Sequence, residues 1–97
     1  YQPIRLQIMS IITSLDDNNP IDFNTLQTTL QVTAGNLGSH LRKLEEEKYI
    51  VINKTFVSRK PRSYVSPTAT GHQAFAEHVA ALADILQQTT HTAQESN

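Results

Sequence analysis

The feature that most constrains this chain is a change of hydrophobic period at Ile50. Before it, apolar residues recur at three- and four-residue intervals: Leu26 and Leu30, then Leu37, Leu41 and Leu44. From Ile50 the run IVINKTFV is β-branched and partly alternating. The first spacing lines one side of a helix, and the second suits a pleated strand. Short helices must therefore come first and a strand pair after them.

Residues 3 to 15 read as a helix, with Pro3 in the first turn and Ile4, Ile8, Ile11 and Leu15 along one side. Leu6 and Met9 fall on the other side, where an isolated surface helix would not place two large apolar residues. DDNNP, Asp16 to Pro20, is a turn cluster. Ile21-Asp22-Phe23 reads as a short extended piece, and Asn24 as the cap of a second helix. After a brief break, Thr33 reads as the N-cap of a third helix, TAGNLGSHLRKLEEEKY.

SRKPR is a basic turn around Pro61 between IVINKTFV and a return strand, Ser63 to Ser66, which Pro67 stops. Thr68 or Thr70 caps a last helix with Phe75, Val79, Leu82 and Leu86 in a stripe, widened by Ala74, Ala81 and Ile85. From residue 89 the sequence TTHTAQESN reads as a flexible polar tail. The order helix-strand-helix-helix-strand-strand-helix is mainly α with a small β-hairpin, an α+β winged helix-turn-helix. It forms one domain over residues 1–88, with a dimerisation helix at about 68–88 and the tail at 89–97.

The net charge of -1 conceals a division of the chain. Seven of the eight Lys and Arg residues lie between Arg42 and Arg62 against three acids, a local balance of +4. Such a basic third points to a local anionic partner. Several classes are excluded or disfavoured. Without cysteine there is no disulfide framework, thiolate metal site or cysteine nucleophile. The four histidines, His40, His72, His78 and His91, have no ligand spacing, so no metal or cofactor is expected. No nucleophile–base pairing or phosphate-binding glycine loop suggests an enzyme. No stretch is apolar enough to span a membrane, and the opening YQPIRLQIMS has no signal-like basic start. A cytoplasmic protein is expected, and the missing initiator Met suggests either trimming or a sequence boundary, which is compatible with a start further upstream.

The third helix is the candidate reader of DNA. Its face opposite the leucines carries Gly35, Asn36, Ser39, Arg42, Lys43 and Glu46, and its N-terminal half is small, polar and free of acids. Asn36 suits an adenine edge, and Lys43 a guanine or a phosphate. Ser39 and the Thr33 hydroxyl suit either role. His40, at the edge of the core stripe, reads more readily as a packed, hydrogen-bonded residue than as a DNA contact. Gly38 is unfavourable within a helix by about 1 kcal/mol relative to alanine, consistent with either a close backbone approach or simple tolerance. The hairpin tip adds Arg59, Lys60 and Arg62 beside Pro61, with Lys54 behind them. Leu6, Met9, Ala81 and Ile85 form an apolar seam suited to a two-fold dimer, since paired readers span two half-sites.

VTAGNLGSHLRKLEEEKYI, then K-x-F-V-x-R-K-P-R, then P-T-x-x-G-x-x-A-F resembles the small winged-helix transcriptional regulators of the MarR/ArsR-like type over residues 3 to 87. The resemblance implies a homodimeric bacterial or archaeal DNA-binding regulator, with helix 3 in the major groove and the wing on flanking DNA. The positions matching the pattern are Thr33, Gly35, Asn36, His40, Lys43, Arg59, Lys60, Pro61 and Arg62. Gly38 departs from its serine, and Ser58 and Ser63 from the wing's glycine and threonine. A small-molecule effector between helix 1 and helix 4 is compatible with the resemblance, but no polar constellation identifies one. The competing reading is a winged-helix protein-interaction module that does not bind DNA.

Overall fold

The computed structural model describes residues 3–15 and 19–95, with side-chain exposure given through residue 89. The element order is α1 Pro3–Ser14, β1 Ile21–Asp22, α2 Phe23–Leu30, α3 Ala34–Glu46, β2 Ile50–Val57, β3 Lys60–Pro67 and α4 Ala69–Glu95. The four helices and the antiparallel hairpin of the winged helix-turn-helix are present. The short extended piece pairs with the hairpin as a third strand, Ile21 opposite Val65 and Asp22 opposite Tyr64, giving the order β1-β3-β2. Asp16 to Asn18 of the turn cluster lie outside the described residues.

The core is built from Ile8, Met9, Ile12, Leu26, Leu37, Leu41, Leu44, Ile50 and Val65. The leucine stripe of α3 is buried as its spacing requires. In α1 the buried arc is Ile8, Met9 and Ile12, while Leu15 is exposed. The arc is rotated because α1 is covered from two directions, by α3 and β3 on one side and α4 on the other. Met9, expected in a dimer seam, is therefore a core residue at 1% exposure.

The helix-turn-helix depends on backbone geometry that the apolar pattern does not encode. Asp22, not Asn24, caps α2: its carboxylate accepts from the Thr25 amide at 2.6 Å. Gln31 closes α2 in the left-handed region at φ 56°. Thr33 then caps α3, accepting from the Asn36 amide at 3.1 Å. At the other end of α3, Lys48 is left-handed at φ 64°. Its amide donates to the Glu45 carbonyl and that of Tyr49 to the Leu44 carbonyl, a Schellman stop without glycine.

The hairpin turn is tighter than the sequence suggested. Val57 pairs with Lys60, so only Ser58 and Arg59 form the loop, and Pro61 lies within β3 opposite Phe56. The positive φ values of Ser58 and Arg59, 52° and 66°, define a type I′ geometry that matches the twist of the strands. In a two-residue hairpin the closing pair exchanges the ladder bonds, which makes Phe56–Pro61 a non-hydrogen-bonded pair. The same alternation places Pro67, opposite Ile50, at another such position, so neither proline removes a bond between β2 and β3.

Thr68 fastens α4 to this framework. Its amide donates to the Tyr49 carbonyl at 3.0 Å and its hydroxyl to the Lys48 carbonyl at 2.6 Å. That hydroxyl also accepts from the Gly71 amide at 2.9 Å, which makes Thr68 the cap of the helix. α4 then continues past Gln88 to Glu95, because no Gly or Pro after Gly71 interrupts its backbone ladder. Gly71 is buried where a Cβ would overlap the Tyr49 carbonyl and lie 3.2 Å from Met9 Cε. Replacement of Gly71 by Ala is expected to destabilise the fold by about 2–3 kcal/mol. Urea unfolding monitored by circular dichroism measures this, with Gly35→Ala as the control, since a Cβ there meets open space.

Candidate nucleic-acid interface

The polar side of α3 is open. Gly35, Asn36, Ser39, Arg42 and Lys43 are exposed, and nothing lies within 4 Å of a Cβ placed at Gly35 or Gly38. No described element of the chain thus accounts for the two glycines by close packing. The acids of this helix, Glu45, Glu46 and Glu47, are exposed at its C-terminal end. Lys43 lies 4.0 Å from Glu46, an exposed pair that water screens and that leaves the ammonium available. The N-terminal half of the helix therefore offers short polar groups and the positive end of the helix dipole.

His40 is half-buried, and its Nδ1 accepts from Arg5 Nε at 3.3 Å. This contact ties α3 to α1, so the packed reading of this histidine describes its surroundings. Thr33 is exposed with its hydroxyl oxygen engaged as the cap. The hydroxyl proton remains able to donate outward.

On the hairpin, Lys54, Arg59 and Lys60 are exposed. Residues 48–76 contain no Asp or Glu, so the wing is uniformly positive in sequence. Arg62 differs from its neighbours, since its Nη1 donates to Asp22 Oδ2 at 2.7 Å. Asp22 therefore does two things at once: one oxygen caps α2 and the other grips the wing strand. The residue reading missed this second role. An acid preceding a helix signals a cap, but nothing local indicates a partner forty positions away. Hydrogen bonds from Thr25, reinforced by the nearby Arg62 guanidinium, hold the Asp22 carboxyl below the usual carboxylate range. Phe56, 74% exposed on β2, was not singled out by the sequence either.

Of the expected dimer residues, Ala81 and Ile85 are exposed on α4, and Leu6 is half-buried. Leu6 lines a shallow apolar groove of about 280 Å³ between α1 and α4, with Phe75, Val79 and Leu82. Among the described residues no three His, Asp or Glu side chains gather into a metal-binding group. No described helix is long and apolar enough to cross a membrane.

A capped helix-turn-helix, a positive two-residue hairpin and an open polar face on α3 define the class of winged-helix DNA-binding modules. The family model of the winged helix DNA-binding domain matches residues 4–86, and the chain belongs to that family. It is 29% identical over 76 residues to an uncharacterised protein of Methanocaldococcus jannaschii, covering 78% of this chain and 79% of that protein. Among solved structures it is similar to a transcriptional regulator homologue from Pyrococcus horikoshii, with a TM-score of 0.81 and 28% identity over 91% of this chain and 84% of that one. The fold is also shared with Staphylococcus aureus MepR in complex with DNA, with a TM-score of 0.74 and 18% identity over 97% and 73% of the two chains.

The Asp22 geometry carries a pH prediction. Because the folded carboxyl titrates below its unfolded value, its stabilisation is complete above about pH 4 and is lost as pH falls through the lower folded value. Asp22→Asn keeps a capping oxygen and loses the ion pair. Urea titrations should find Asp22→Asn less stable than the wild type at pH 6, with the gap closing toward pH 2.

Proposed function

We propose that this chain is a homodimeric transcriptional regulator that binds double-stranded DNA in a sequence-specific manner in the cytoplasm, without enzymatic activity. The N-terminal half of α3 enters the major groove, and the wing holds flanking DNA. The observation that carries this reading is the pairing of the open, acid-free N-terminal half of α3 with a hairpin whose free cations have no acid in the surrounding sequence. Gly35, Asn36 and Ser39 meet base edges, and Thr33 and Lys43 meet the backbone beside them. Lys54, Arg59 and Lys60 neutralise phosphates. Arg62 positions the wing through Asp22, and His40 positions α3 through Arg5.

The α4 surface supports the homodimer. Val79, Leu82, Ile85 and Leu86 are 46%, 46%, 57% and 65% exposed, an apolar stripe longer than the core that α4 covers. The radius of gyration, 16.5 Å, exceeds the roughly 12.5 Å of a compact chain of this length. A helix that projects with its apolar side open is stabilised by the same helix of a second copy. Two-fold pairing then presents two α3 helices to successive major grooves, about 34 Å apart.

Fluorescence anisotropy against a mixed duplex pool at two salt concentrations tests the DNA reading. Affinity should fall steeply with salt, and each of Arg59→Ala and Lys60→Ala, present in both copies of the dimer, should flatten the log–log slope by about 1.8. Asn36→Ala and Ser39→Ala should instead change which duplexes are retained. Salt-independent indifference to DNA would favour a protein-interaction module. Light scattering tests the dimer: Ile85→Glu with Leu86→Glu should halve the mass of the wild-type particle.

A further inference from the structure

The wing carries an aromatic side chain that the core does not use. Alternation along β2 puts Phe56 on the same face as Ile50, Ile52 and Lys54, and the opposing positions on β3 are Pro61, Ser63, Val65 and Pro67. Along this face burial falls steadily toward the tip. Ile50 and Val65 are 1% exposed, Ile52 is half-buried, and Phe56 is 74% exposed. The face that seals the core thus runs on past the helices and ends in an aromatic ring and a proline. Their pairing is of the non-hydrogen-bonded kind, in which side chains approach most closely, so Pro61 braces the ring.

The surroundings of the ring identify its partner. Lys54 lies two residues back on the same face, Arg59 forms the tip, and Lys60 lies next to Pro61 in β3. One exposed ring is far smaller than the roughly 800 Å² that each side of a stable protein interface buries. A second copy docking here would also bring like charges together. A duplex answers both features, offering phosphates for the cations and, in the minor groove, apolar sugar edges and base steps for a wedge.

We propose that Phe56, braced by Pro61, is the apolar contact of the wing with the DNA minor groove, between phosphates held by Lys54, Arg59 and Lys60. This rests on the DNA-binding reading above and adds a non-electrostatic contact to it.

The chain contains no tryptophan, so Phe56→Trp supplies a single reporter at the site. On titration with an A·T-containing duplex that the wild type binds, its emission should be quenched and saturate together with the anisotropy. Pre-loading the duplex with a minor-groove polyamide should abolish the quenching. Phe56→Ala should unfold at the same temperature as the wild type and bind roughly tenfold more weakly with an unchanged salt slope, whereas Lys60→Ala shallows the slope. Unchanged emission on bound duplex, quenching that survives the polyamide, or full affinity in Phe56→Ala would each overturn the proposal. A change in particle mass in Phe56→Ala would assign the ring to self-association and overturn it as well. If the wild type binds no duplex at any salt concentration, the DNA-binding reading itself fails, an outcome distinct from all of these.

Discussion

The fold depends on one close approach, the Tyr49 carbonyl against the first turn of α4. That carbonyl lies where α3 has stopped and β2 begins, and it accepts the Thr68 amide at 3.0 Å. Only a residue without a Cβ fits at Gly71, three positions further on. Through this contact α4 comes close enough for Gly71 to meet Met9. That closure sets α1 against α4 as well as against α3 and β3, and Met9 is buried there.

Around this junction the chain uses left-handed residues where glycine is the usual choice. Gln31, Lys48, Ser58 and Arg59 all have positive φ, each at a cost of about 1 kcal/mol relative to glycine. Two of them shape the helix-turn-helix, by turning α2 into α3 and by stopping α3. The other two fold the wing tip into two residues, so that Arg59 occupies the apex itself. The side chains kept at these positions include Lys48 and Arg59, both in the positive third of the chain. Charge is retained at some conformational cost.

Asp22 links the two parts of the surface. As the cap of α2 it belongs to the helix-turn-helix, and through Arg62 it holds the base of the wing. An acid inside a positive surface normally weakens anion binding. Here it neutralises one cation that serves to orient the hairpin, while Lys54, Arg59 and Lys60 remain exposed. The Arg5–His40 hydrogen bond does the equivalent for α3, fixing it to α1 by a polar contact at the margin of the core.

Much of this was legible in the sequence, because period and capping chemistry are local. Leu37, Leu41 and Leu44 announced the buried side of α3, Thr33 its start, and IVINKTFV the strand. The crowding of bases between Arg42 and Arg62 marked the positive surface. What failed locally was decided by neighbours distant in sequence. The burial of Met9 depends on Gly71, and the engagement of Arg62 on Asp22. The exposure of Phe56 depends on where the helices stop covering the strand face that Ile50 and Ile52 begin. The sequence by itself determined which elements form and where charge collects, since backbone propensity and side-chain ionisation act over a few residues. The tertiary structure alone decided which apolar side chains are left open and which cations are already paired, since those depend on contacts that only packing brings together.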